Sequence, residues 1–128
     1  MGLTIQEAAE TTGWSPRMLR YIEDAGLMEV GRTASGYRDY GPGELQRLRT
    51  LRELLARFDC ALSDVAFARR MATEAQLRAA LERWFEAEPQ SPEGIASDDW
   101  LSWEQEKHQR LLAAAAEPPT STKEKTAA

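Results

Sequence analysis

Arg17, Arg20 and Tyr21 stand three and four residues apart, the spacing that gathers side chains on one face of an α-helix. Two planar guanidinium forks there can meet a guanine edge or a phosphate, and the phenol can donate its hydroxyl to a phosphate oxygen. A second set, Arg32, Tyr37 and Arg38, surrounds Gly36 in EVGRTASGYRDY, whose glycine and aromatic content marks a β-hairpin. Gly36 supplies the positive φ that such a turn tends to need, and the hairpin would lie along a backbone and position the protein. Catalysis has no comparable foundation. The chain has one His and one Cys, so no nucleophile–base pair stands out, and a transition-metal site would want several N or S donors. His108, in a Glu- and Gln-rich helix, is expected to face solvent, and Cys60 to serve as a small buried hydrophobe. No catalytic residue, metal or cofactor is expected.

Two short helices must position the first set. Thr4 and Glu7 have the S/T-x-x-E spacing of a capping box, so a helix starts at about Ile5, with Ile5, Ala8 and Ala9 as a narrow apolar stripe. Gly13 permits a turn. Ser15 and Pro16 are a good N-cap and first residue for a second helix, which Gly26 ends. Leu19 and Ile22 face the first helix, leaving Arg17, Arg20, Tyr21 and Asp24 outward, toward what a DNA major groove would meet.

This run resembles the MerR family of bacterial transcription regulators, whose winged helix-turn-helix reads Leu-Arg-Tyr-Tyr-Glu, then Gly-Leu, then Arg-x-x-x-Gly-Tyr-Arg-x-Tyr. Leu19, Arg20, Tyr21, Glu23, Gly26, Leu27, Arg32, Gly36, Tyr37, Arg38 and Tyr40 stand where that pattern wants them. Ile22 replaces its second Tyr, and Val30 replaces the Pro usually found before the wing. The resemblance extends to about Met71. It implies a homodimer on an inverted-repeat operator, and promoter DNA that is twisted and bent until RNA polymerase can use it. The metal-sensing branch uses cysteines near the dimer helix; none stands there, which argues against a mercury, copper, zinc or iron–sulfur sensor.

Beyond the wing, Leu45, Leu48, Leu51, Leu55 and Phe58 predict a helix over about Pro42–Arg57, whose other side carries Arg47, Arg49, Arg52 and Arg57, a solvated row by default. Leu62, Val65, Ala68 and Met71 or Ala72 outline a short fourth helix. The expected fold is mostly α: a winged helix-turn-helix domain of four helices and a hairpin at 1–72, a helical dimerisation or interaction hairpin at 73–117, and a disordered tail at 118–128. The hairpin's first helix, which Pro89 stops, is only about fifteen residues, ~22 Å long, short for a free two-stranded coil. Its second helix starts at the acidic Ser97–Asp99. Trp84, Phe85, Trp100 and Trp103 would together expose a large apolar patch, and with Leu77 and Leu81 they are the candidate interface or ligand-pocket residues. Three uses remain open for them: a subunit seam, packing back onto the third and fourth helices, or a pocket for a small ligand.

The net charge of −5 is uneven: residues 1–70 hold ten Arg against ten acids, and residues 71–128 six basic residues against eleven acids. The arginines on the two recognition elements therefore form a local basic patch on a neutral domain. No N-terminal signal pattern and no apolar run approaching ~18 residues is present, so a cytoplasmic protein away from membranes is expected. The leading expectation is a homodimeric regulator binding double-stranded DNA. The alternatives are an architectural DNA protein of excisionase or terminase-small-subunit type, and a module whose hairpin docks RNA polymerase or another regulator.

Overall fold

The structure, a computed structural model, describes residues 2–116, apart from the side chains of residues 64–66. The expectations for the 118–128 tail and for Val65 lie outside those residues. The order is α1 (Ile5–Thr12), α2 (Pro16–Asp24), β1 (Gly31–Arg32), β2 (Arg38–Asp39), α3 (Pro42–Arg57), α4 (Asp64–Thr73), α5 (Ala75–Glu86) and α6 (Ser97–Ala116). This is the mostly α architecture with a two-stranded wing.

Local chemistry sets the ends of these elements. The Thr4 hydroxyl accepts from Glu7 N–H at 3.1 Å and Glu7 Oε1 accepts from Thr4 N–H at 2.9 Å, completing the capping box of α1. Gly13, at φ 83°, closes that helix. Ser15 Oγ accepts from Met18 N–H at 3.1 Å to cap α2. At its other end Gly26, at φ 78°, and Leu27 donate backbone N–H groups to Glu23 O and Ile22 O, both at 3.0 Å, a Schellman closure. For α3, Pro42 is the first residue, and Glu44 reaches back to accept from Gly41 N–H at 2.8 Å. The break after α3 holds Asp59 at φ 49°, and Arg70 of α4 donates to Phe58 O and Asp59 O, each at 2.8 Å. Ser63 precedes α4 without a side-chain cap bond. Cys60 is buried beside that break.

The wing strands pair antiparallel, Gly31 with Asp39 and Arg32 with Arg38, and Leu3 bridges to Tyr40 through both backbone bonds, at 2.7 and 2.8 Å. Leu3 and Tyr40 thereby stitch the N-terminus, the wing and the start of α3 into one core, with Ala8, Leu19, Ile22, Leu45, Leu48 and Leu51 fully or almost fully buried.

The C-terminal helices pack onto the chain itself. α5 lies against α3 and α4, and α6 against α3 and α1. Leu77, Leu81 and Trp84, weighed for a subunit seam or ligand pocket, are buried here, at 0%, 3% and 7% exposure. Trp84 Nε1 donates to Arg47 O at 3.0 Å and to Thr50 Oγ1 at 3.1 Å, while the Arg47 guanidinium stacks 4.4 Å above the indole. Arg47 also donates to Ala87 O at 2.6 Å, and burial lowers the pKa of its guanidinium. Trp100 and Trp103 are half-buried, and Phe85 stays 54% exposed.

Two expectations need correction here. His108 is buried: its Nε2 lies 2.9 Å from Leu45 O and 3.6 Å from Glu104 Oε1, so α6 is oriented by that ring. The arginine row of α3 is a solvated face only in part: Arg52 and Arg57 are exposed, whereas α5 and α6 partly cover Arg47 and Arg49. Arg47 sits on Trp84, Arg49 chelates the fully buried Glu104 through Nε (3.3 Å) and Nη2 (3.1 Å), and Arg52 donates to Thr12 O at the end of α1. Trp100 Nε1 adds a bond to Glu104 Oε2 at 3.2 Å. Burial pushes the Glu104 carboxyl up, but the nearby His108 ring, the hydrogen bonds and charge of Arg49 and the bond from Trp100 outweigh it and hold the group below the usual carboxylate range.

Candidate nucleic-acid interface

Helix α2 buries Leu19 and Ile22 against α1, so periodicity turns Arg17 and Arg20 outward, and both are exposed. Tyr21, one residue on, is half-buried and packs against the core. On the wing, Thr33 N–H donates to Tyr37 O at 2.8 Å and Gly36 N–H to Thr33 O at 2.9 Å, with Gly36 at φ 90°. The turn leaves Tyr37 as the most exposed large hydrophobic side chain among the described residues, at 73%.

Glu23, in the last turn of α2, joins the helix to the wing. Its Oε1 accepts from Arg38 Nε at 2.6 Å and its Oε2 lies 3.2 Å from Arg32 Nη2. That hydrogen bond raises the pKa of the Arg38 guanidinium above its ordinary value. Below them lies Tyr40, fully buried, its hydroxyl without a hydrogen-bond partner among the described residues. Burial raises its phenol pKa. Arg32 and Arg38 thus meet the helix at Glu23, and Arg20 stands one turn before Glu23 on α2.

Sequence spacing identified the arginines but not the carboxylate between them. Glu23 was visible only as a pattern match, although an acid at a helix C-terminus, where the dipole disfavours it, is a local anomaly that asks for a nearby cation. The Arg49–Glu104–Trp100 cluster was missed as well, and its signal was available: Trp100, Glu104 and His108 repeat at i, i+4, i+8 on one helix face.

Residues 3–66, half of the chain, match the model of the MerR HTH family of regulatory proteins. The chain belongs to the MerR family. Its relatives include an HTH-type transcriptional regulator of Pseudomonas aeruginosa, 43% identical over 51 residues, 39% of each chain. HTH-type transcriptional regulator HmrR of Rhizobium leguminosarum bv. viciae is 41% identical over 49 residues, 38% of each chain. Heavy metal-dependent transcription regulator 2 of Rhizobium meliloti is 43% identical over 51 residues, 39% of this chain and 35% of that one. The likeness to these MerR relatives thus spans about two fifths of their length or less. No solved structure matches the chain. Among the described residues no helix is long and apolar enough to cross a membrane.

Proposed function

We propose that this chain is a DNA-binding transcription regulator in which α2 enters the major groove and the wing lies along the adjacent backbone. Arg17 and Arg20 reach base edges or phosphates, Tyr21 and Tyr37 donate hydroxyls to phosphates, and Arg32 and Arg38 meet phosphates from the wing. The observation that carries this reading is the docking of the wing's Arg32 and Arg38 on Glu23, one turn after the exposed Arg20 of α2, on a domain of zero net charge. The protein acts as a homodimer on an inverted repeat and distorts the promoter it binds, as its family membership implies. Since Leu77, Leu81 and Trp84 are committed to the chain's own core, a subunit seam draws on what α5 and α6 leave outside, Phe85 and Leu111 foremost. The heavy-metal dependence in one relative's name is not carried over, because the sequence holds one cysteine and it is buried.

Selection of duplexes from a random pool, followed by a hydroxyl-radical footprint and light scattering of the complex, tests this. The expected footprint has two symmetric halves about 34–36 Å apart on one DNA face, with two chains bound. Recovery of no preferred sequence, with binding independent of salt, would remove DNA from the account.

A further inference from the structure

Glu23 presents an electrostatic paradox. It is an acid at the C-terminal end of a helix with no basic residue in its last turn, where the helix dipole disfavours it, and it lies on the face that would approach a polyanion. Its surroundings resolve the first half: Arg38 Nε at 2.6 Å and Arg32 Nη2 at 3.2 Å supply the missing positive charge. They also bear on the second half. The Glu23 side chain is 17% exposed, against 21% for Arg38 and 46% for Arg32, so the carboxylate is the least exposed of the three. A guanidinium has five N–H donors on three nitrogens, and Glu23 engages one nitrogen of each arginine, Nη2 of Arg32 and Nε of Arg38. Neither Nη atom of Arg38 and neither Nε nor Nη1 of Arg32 is spent on Glu23. The backbone on both sides is fixed, by the Schellman closure of α2 and by the β1–β2 pairing.

We propose that Glu23 is a positioning residue for DNA: it holds Arg32 and Arg38 as a preset pair of phosphate-facing forks and strengthens binding despite its own negative charge. The inference rests on the DNA-binding reading above. Ordering two long side chains before association removes an entropic cost that free arginines would bear in the complex, and bidentate phosphate contact depends on that orientation. Simple Coulomb reasoning gives the opposite sign, since deleting a carboxylate next to DNA would tighten binding.

The opposed signs make the test decisive. Fluorescence anisotropy of the full chain is measured on a 30-bp duplex selected by the wild-type protein and on an unselected duplex of equal length, over a salt series. Glu23→Gln is expected to weaken both complexes roughly tenfold, and to have no weakening effect when Arg32→Ala and Arg38→Ala are already present, which a purely structural role for Glu23 would not produce. Equal or tighter binding by E23Q, or an undiminished loss in the double-alanine background, would overturn the inference while leaving the DNA-binding reading intact. Failure of the wild type to bind either duplex would remove that reading and this one with it. Should E23Q melt below the assay temperature, Arg32→Lys with Arg38→Lys serves instead: charge is kept and the fork lost, so a similar weakening is expected and full retention of affinity contradicts the proposal.

Discussion

Removing Glu104 should detach α6 from α1 and α3. Its carboxylate is fully buried and takes hydrogen bonds from Arg49, itself 12% exposed, and from Trp100, with His108 3.6 Å away. Deleting one partner of such a pair leaves the other charge buried and costs about 3–5 kcal/mol. At roughly 4 °C per kcal/mol for a domain of this size, Glu104→Ala is expected to lower the melting temperature by about 12–20 °C. Circular dichroism gives the global melt, and tryptophan fluorescence reports α6 through Trp100 and Trp103. Arg49→Leu with Glu104→Leu should recover most of the loss, because it replaces the pair by apolar groups instead of orphaning one charge. The pH dependence has a definite sign. The folded-state pKa of Glu104 lies below the ordinary 4.5, so its contribution is fully present above that value and is lost as pH falls through the folded pKa. The stability difference between wild type and Glu104→Gln should therefore be constant near neutrality and shrink below about pH 4.5. A loss under about 1 kcal/mol for Glu104→Ala, or a double variant no better than the single, would refute the role given to this cluster.

Two further substitutions test particular contacts. Gly13→Ala should destabilise by roughly 1–3 kcal/mol in a thermal melt, because Gly13 sits at φ 83° and a Cβ there would meet the Arg52 guanidinium and, at 2.8 Å, the Leu112 side chain of α6. Tyr40→Phe removes a buried hydroxyl that has no partner among the described residues, so urea unfolding should show a change from zero to about 1 kcal/mol of added stability; a clear loss would mean that the hydroxyl is satisfied in solution.

The elements that sequence made legible are those whose ends carry their own chemistry. The Thr4–Glu7 box, the Ser15–Pro16 start, Gly13, Gly26 and Gly36 each act within a few residues, and all lie where local rules put them. The span Pro42–Arg57 was equally legible, from its leucine period and its proline. What local pattern could not reveal was which elements meet across long stretches of chain. Arg47 and Arg49 of α3 read as part of a solvated row because their partners, the Trp84 ring, Ala87 O and Glu104, stand far along the sequence. His108 read as exposed because its neighbours are polar, yet one of them, Glu104, is the group that buries with it. At the candidate interface the outward residues followed from periodicity, whereas the bridge through Glu23 needed the wing folded against α2.

Arg20 offers the most direct measurement of whether this face reads DNA. It is exposed on α2, one turn from Glu23, and its replacement by alanine disturbs no buried side chain. Titrating Arg20→Ala and wild type against a selected duplex and a scrambled one should show a loss of about 1–3 kcal/mol on the selected sequence, a much smaller loss on the scrambled one, and an unchanged melting temperature. Equal affinity of the two proteins for the selected duplex would contradict a recognition helix that reads through Arg20.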